Sequence, residues 1–202
     1  MVGQQIERTI KELQQAHWEA AMAELFPAVQ ETARRYYQHQ TESADCTKRF
    51  LRESMWMIIW GLDFYLLADG YTLGSCCPCF DLDIPRNEKG YSQIEDILYY
   101  VFDKAQAQQI MPVKWREETG QFCVDEDNEL NLSGKIIWGI VLAVVSCESN
   151  ANECLTQEGQ MPDMAGLPFL NCPISALWGQ RIQLMESFDA YRLERQKANL
   201  MR

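Results

Sequence analysis

Three neighbouring cysteines are the residues in this sequence best suited to metal or redox chemistry. Cys76, Cys77 and Cys79 fall within four consecutive positions of the chain. Zinc is usually held by four Cys or His ligands, commonly arranged as two closely spaced pairs. The nearest second pair is Cys147 and Cys154, which are loosely spaced, and no histidine is close to either group. One functional interpretation is therefore a protein that binds zinc through its cysteines. The related interpretation is a thiol-dependent protein, such as an enzyme.

Other catalytic residues are sparse. Nucleophilic catalysis usually needs a histidine base, and the only histidines are His17, beside the apolar stripe of the first predicted helix, and His39, in a polar stretch. Asp63 interrupts an apolar helix, where a carboxylate must be paired or neutral, so it predicts either a structural ion pair or a catalytic acid. No glycine-rich phosphate-binding motif and no G-x-S-x-G motif is present. These features favour a protein that is not an enzyme.

Acidic residues outnumber basic ones and concentrate in one region. The formal net charge is −11, which disfavours direct binding to nucleic-acid phosphates. Two acidic groups supply six candidate contacts within residues 117–129, which are together called the acidic stretch below: the pair Glu117 and Glu118, and the run Asp125, Glu126, Asp127 and Glu129. This stretch favours an interaction module that binds a basic protein partner, as an inhibitor or neutralising protein or as a subunit of a larger assembly.

The run Asp125, Asp127, Glu129 and Asn131 has the alternating spacing of a calcium-binding loop that would begin at Asp125. However, Leu130 and Ile136 occupy its sixth and twelfth positions, where an EF-hand needs Gly and a bidentate Glu. The stretch therefore predicts a solvated acidic turn and not a calcium loop of that type.

Length and composition are those of a globular domain. A chain of 202 residues with 47% hydrophobic residues can bury a core without metals or disulfides, so we predict a single helical domain over 1–202. The first residues lack the apolar stretch of a secretion signal. The longest apolar runs, 55–62 and 136–145, are shorter than the roughly 20 residues that span a bilayer. We therefore expect a cytoplasmic protein with reduced cysteines and no membrane association.

Apolar residues at helical spacing predict most of the secondary structure. A first helical segment covers 3–39 and should kink or divide at Pro27. A second helix should begin with Asp45 or Thr47 as its cap and end at Gly70. Ser92 and Glu95 match a capping box at the start of a third helix.

The remaining segments complete a predicted helical bundle or orthogonal array. Residues 136–147 are almost entirely apolar and predict a buried helix, with Asn131 or Ser133 as its cap. A last helix should begin at Pro173 and bury one continuous stripe from Ile174 to Phe188. Residues 113–124 predict one small β-hairpin around Glu118-Thr119-Gly120. The predicted class is thus mainly α.

Overall fold

The structure is a computed structural model, which describes residues 1–38, 43–58, 77–78, 85, 88, 91–107, 113–116, 122–124, 130–157, 159 and 170–200. These residues are mostly helical, which confirms the mainly α prediction. The helices are α1 (Val2–Gln14), α2 (Trp18–Tyr36), α3 (Ala44–Glu53), α4 (Met55–Ile58), α5 (Ile94–Gln106), α6 (Lys135–Ser146) and α7 (Arg181–Leu200). The strands are β1 (Cys77–Pro78), β2 (Tyr91–Ser92), β3 (Val113–Arg116), β4 (Phe122–Val124) and β5 (Leu130–Ser133). Two short 3-10 helices cover Glu148–Asn150 and Ile174–Leu177.

Helix α6 lies at the centre of the fold. Every residue from Ile136 to Ser146 is buried, as expected for a helix that is apolar on all sides. It packs against α2, α4, α7 and both 3-10 helices. The buried helix predicted at 136–147 is confirmed, but its N-cap is Gly134 and not Asn131 or Ser133. The Ser133 hydroxyl accepts from the Lys135 amide over 3.3 Å.

The helices on the N-terminal side enclose one side of this core. Helix α2 packs along α1 and also contacts α3, α5 and α6. Its buried residues join a continuous apolar cluster that extends from Val2 in α1 to Phe188 in α7. Phe26 of α2 stacks on Phe102 of α5 with ring centroids 5.1 Å apart. The described helices thus share one apolar core.

The break in the first helical segment is not at Pro27, as we expected, but at Ala16. Pro27 lies inside α2, where the burial of its neighbours Phe26 and Ala28 outweighs the roughly 3 kcal/mol penalty of a helical proline. Helix α1 ends instead with Ala16 at φ 56°. The amide of His17 donates to the Glu12 carbonyl over 3.0 Å, which is the six-to-one hydrogen bond of a Schellman motif.

Two other predicted helix starts are also corrected. Helix α3 is capped by Ser43, whose hydroxyl accepts from the Cys46 amide, and not by Asp45 or Thr47. Helix α5 begins after Gln93 without a side-chain cap, so the predicted capping box is absent. The Glu95 carboxylate instead accepts a 2.6 Å hydrogen bond from Arg52 of α3, because an ion pair between helices competes with a local cap. The predicted stop at Gly70 lies outside the described residues.

The predicted hairpin has the right strands and the wrong pairing. Strands β3 and β4 do not pair with each other, because β5 lies between them. Strand β5 is parallel to β3 and antiparallel to β4. All four residues of β5 are buried, so it takes the central position, where both of its edges are paired. The prediction failed because residues 130–133 were assigned to a loop and a helix cap.

The predicted last helix is divided in two. The 3-10 helix at Ile174–Leu177 ends before Gly179, which has φ 73°, a conformation that glycine adopts without steric cost. Helix α7 then begins at Arg181 with a different buried face. Leu184 and Phe188 are buried, whereas Ile182 is 54% and Met185 is 47% exposed. The continuous stripe predicted from Ile174 to Phe188 is therefore wrong beyond the turn at Gly179.

We expect Ala16→Gly to stabilise the protein by about 0.5–1 kcal/mol, because glycine adopts positive φ without the strain that a Cβ imposes. The measurement is the free energy of unfolding in urea. Ala20→Gly, at an exposed position inside α2, is the matched control and should destabilise by roughly 1 kcal/mol. Destabilisation by both substitutions would contradict the left-handed cap at Ala16.

Candidate functional site

The six carboxylates of the predicted interaction site lie outside the described residues: Glu117, Glu118, Asp125, Glu126, Asp127 and Glu129. The described strands that flank these carboxylates in the sequence are paired with one another. Arg116 at the end of β3 pairs with Ser133 of β5, and Val124 at the end of β4 pairs with Leu130 of β5. The Arg116 guanidinium donates to the buried Asn131 side chain over 2.9 Å. The sheet therefore fixes the chain on both sides of the acidic stretch.

Several carboxylates on the described helices have cationic neighbours, namely those of Glu24, Glu31, Glu53, Glu95 and Asp96. Eight ion pairs join Asp or Glu side chains to Arg, Lys or His partners. Several of these pairs connect different helices, such as Lys48 of α3 with Asp96 of α5 at 2.8 Å. The paired carboxylates therefore contribute little net negative field around the described helices. This balance contrasts with the acidic stretch, where the sequence supplies no basic residue between Glu117 and Glu129.

A partly buried polar network connects several of the described helices. Arg35 of α2 donates to Glu31 over 2.7 Å and to Glu153 over 2.8 Å. Glu153 also accepts from the Gly3 amide at the start of α1. The fully buried Asn150 donates to the Thr32 hydroxyl over 2.8 Å and to a carbonyl of α6. The network joins α1, α2, α6 and the segment after α6, so its role is structural.

Hydrogen bonds from Arg34, and secondarily Arg35, lower the pKa of Glu31 from its ordinary 4.5 to about 2. A carboxyl whose pKa is lower in the folded state stabilises the fold above its unfolded pKa. That contribution is lost as the pH falls from about 4.5 to about 2. We therefore expect Glu31→Gln to lose about 1 kcal/mol at pH 7 and to show a shallower loss of stability in acid. Urea unfolding at pH 7, 4 and 3 measures both quantities.

The exposed and unpaired Glu19 supplies the control for this prediction, since Glu19→Gln removes a carboxylate from the same helix without touching the network. Because Glu19 lies in the first turn of α2 and interacts only with the helix dipole, Glu19→Gln should change the free energy of unfolding at pH 7 by less than about 0.5 kcal/mol. If Glu31→Gln and Glu19→Gln behave alike, the ion pairs of Glu31 do not contribute to stability.

The cysteines of the alternative interpretation do not assemble into a site within the described residues. Cys76 and Cys79 lie outside them, and Cys77 is described as part of β1, where it pairs with Ser92. Cys147 is fully buried and its sulfur lies 3.2 Å from the Ser149 hydroxyl. Cys154, by contrast, is exposed. In the described ranges, no three Cys, His, Asp or Glu side chains come together as a metal site.

The remaining predicted catalytic residues give no constellation in the described part of the chain. His17 is exposed and its Nδ1 lies 2.9 Å from a Glu12 oxygen. It follows the Schellman turn at the end of α1, so the prediction that it lies beside the apolar stripe of a continuous first helix is wrong. Asp63 and His39 lie outside the described residues.

We expect iodoacetamide to modify Cys154 at least about tenfold faster than Cys147 in the folded protein. Burial raises the pKa of the Cys147 thiol, which lowers its thiolate fraction, and the thiolate is the reacting species. Peptide mapping by mass spectrometry after timed alkylation at pH 8 measures both rates. In urea the difference should disappear. Equal rates in the native protein would contradict the burial of Cys147.

The structure also contains an open polar cleft that the sequence did not predict. Its volume is about 430 Å³, and it lies between α1 and the segment around residues 156–159. The Glu7 carboxylate accepts from the Thr156 hydroxyl over 2.5 Å and from the Gln157 amide over 2.6 Å. Arg8 and Lys11 line the same cleft. The only sequence signal is the polar face of α1, because its other wall comes from residues about 150 positions away.

None of the helices within the described ranges combines the length and the apolar composition needed to cross a lipid bilayer. The chain is thus a mainly helical protein with a small mixed sheet beside its acidic stretch. It belongs to the Rv1289 family, whose model matches residues 1–201. No curated protein and no solved structure matches the chain.

Proposed function

We propose that the protein is a non-enzymatic interaction module of the cytoplasm, whose acidic stretch at 117–129 binds a basic protein partner. The partner is either neutralised by this binding or held within a larger assembly. The observation that carries the proposal is the uneven distribution of charge. Several carboxylates on the described helices have cationic partners, whereas the six carboxylates from Glu117 to Glu129 have no basic residue among them.

Electrostatics gives this arrangement a specific consequence. Carboxylates that are paired within the molecule have little charge left to attract a partner, so attraction originates where like charges accumulate. Such a region speeds the encounter with a basic surface and repels other acidic proteins. At about 0.15 M salt the screening length is roughly 8 Å, so the long-range attraction weakens as salt rises. Binding of the proposed kind is therefore sensitive to salt.

The proposal also assigns a role to the small sheet. Strand β5 is buried and hydrogen-bonded on both edges, and each acidic group in the sequence is bounded by strands of this sheet. A partner that binds the acidic stretch would therefore bind residues whose neighbouring strands are fixed in the core. Anchoring on both sides reduces the conformational entropy that the stretch loses when it binds, which favours affinity.

We expect neutralisation of the six carboxylates to weaken partner binding by at least about tenfold, because the attraction depends on their charge. The variant carries E117Q, E118Q, D125N, E126Q, D127N and E129Q. Tagged full-length protein captures partners from its native cytosol at low salt, and mass spectrometry identifies them. The affinity of the recovered basic partner is then measured with purified components at low and high salt.

The matched control neutralises six exposed carboxylates elsewhere and changes the net charge equally: E19Q, D45N, E88Q, D103N, E148Q and E194Q. It should bind nearly as well as the unsubstituted chain. Equal weakening in both variants would mean that overall charge, and not the acidic stretch, attracts the partner. Recovery of no basic partner at low salt contradicts the proposal.

A further inference from the structure

The polar cleft beside α1 brings two cations together in an acidic chain. Arg8 and Lys11 are three positions apart in α1, so they lie on one side of the helix with Cβ atoms about 5–6 Å apart. The only carboxylate in the described lining of the cleft is that of Glu7, and the other described lining residues are uncharged: Ile10, Gln14, Thr156, Gln157 and Gly159. The described lining therefore has a net positive charge, although the chain has a net charge of −11.

The Glu7 carboxylate is used within the protein. It accepts hydrogen bonds from the Thr156 hydroxyl and from the Gln157 amide, and so it joins the two walls of the cleft. Hydrogen bonds of this kind, with a charged acceptor, are stronger than those between neutral groups. A bound metal ion would need several oxygen, nitrogen or sulfur ligands, and no three Cys, His, Asp or Glu side chains of the described residues come together. The described lining therefore fits an anion and not a metal ion.

Both cations of the cleft are available to a ligand. Lys11 is exposed and has no ion-pair partner among the described residues. Arg8 has one, Glu24, at 3.7 Å between a guanidinium nitrogen and a carboxylate oxygen. This distance is longer than the roughly 2.7–2.9 Å of a charge-assisted hydrogen bond, and ion pairs between exposed side chains contribute little to stability. Arg8 can therefore exchange Glu24 for a bound anion at little cost in free energy.

The cleft has the size and the lining of a site for a small molecule. Its volume of about 430 Å³ lies within the range of roughly 300–1,000 Å³ that is usual for ligand pockets. Ile10 and Gly159 are buried, so they form the apolar bottom of the cleft. They adjoin each other, since a Cβ at Gly159 would lie 3.4 Å from the Cδ1 atom of Ile10. An apolar bottom with a few polar groups around it is typical of sites that bind organic ligands.

We propose that this cleft binds a small organic phosphate, with the phosphate group between Arg8 and Lys11 and the organic part on Ile10 and Gly159. A phosphate monoester carries nearly two negative charges at pH 7, which matches the two cations, whereas a carboxylate carries only one. The guanidinium can donate two parallel hydrogen bonds to phosphate oxygens, and the ammonium supplies a second positive charge. The bound dianion also relieves the repulsion between like charges three positions apart on a helix. This site uses none of the residues of the acidic stretch.

Titration of the ¹⁵N-labelled full-length chain with phenyl phosphate at low salt and pH 7.5 tests the site. The amide signals of Arg8, Lys11 and Gln157 should shift together and saturate, with a dissociation constant of about 1 mM or below. Arg8→Gln and Lys11→Gln should each weaken binding by about fivefold or more, because each removes one charged donor. Glu24→Gln removes the competing partner of Arg8, so this variant should bind at least as tightly as the unsubstituted chain.

Lys197→Gln is the matched control, because it removes an exposed cation from another helix and changes the net charge equally. Its dissociation constant should stay within about twofold of the original, and circular dichroism checks that every variant is folded. Benzoate, which has the same ring and a single charge, should bind at least about fivefold more weakly than phenyl phosphate.

Three results would each overturn the proposal. The first is the absence of saturable shifts at these amides up to about 20 mM phenyl phosphate. The second is equal weakening by Lys197→Gln and by the two cleft substitutions, which would mean that only the overall charge attracts the anion. The third is binding of benzoate as tightly as phenyl phosphate. None of these results depends on the basic partner of the acidic stretch.

Discussion

The burial of α6 on all sides is the constraint on which the rest of the described structure depends. A helix without a polar face must be covered completely, and its cover comes from elements far apart in sequence. The closest approach is at Gly139, where a Cβ would lie 2.5 Å from the Ile58 carbonyl oxygen. Only a residue without a side chain lets the backbone of α4 pack this closely. The C-terminal carbonyls of α6 are satisfied by distant groups, including the Gly179 amide at 3.0 Å, because water cannot reach them.

Covering α6 in this way explains why so many charged residues have structural roles. The segment after α6 must return across α1 and α2, and buried polar groups need partners there. Arg35 and Glu153 form one such contact, and the Gly3 amide completes it. On the opposite side, Arg181 binds the backbone at the end of α3 and so attaches α7 to the core. Charges that are used in these contacts have little field left to attract a partner.

The features that the sequence predicts well are those determined by local pattern, such as the all-apolar run of α6. Features that depend on contacts between residues far apart in the sequence were not predicted. Pro27 stays within α2 because the burial of its neighbours outweighs a local penalty, and Ala16 takes a conformation that its residue type disfavours. Glu95 matches a capping box, but Arg52 from another helix binds it. Strand β5 alternates leucines with polar residues over only four positions, and its central position depends on pairing with both β3 and β4, which no local pattern reveals. The cleft beside Glu7 was not predicted either, because one of its walls comes from residues distant in the sequence.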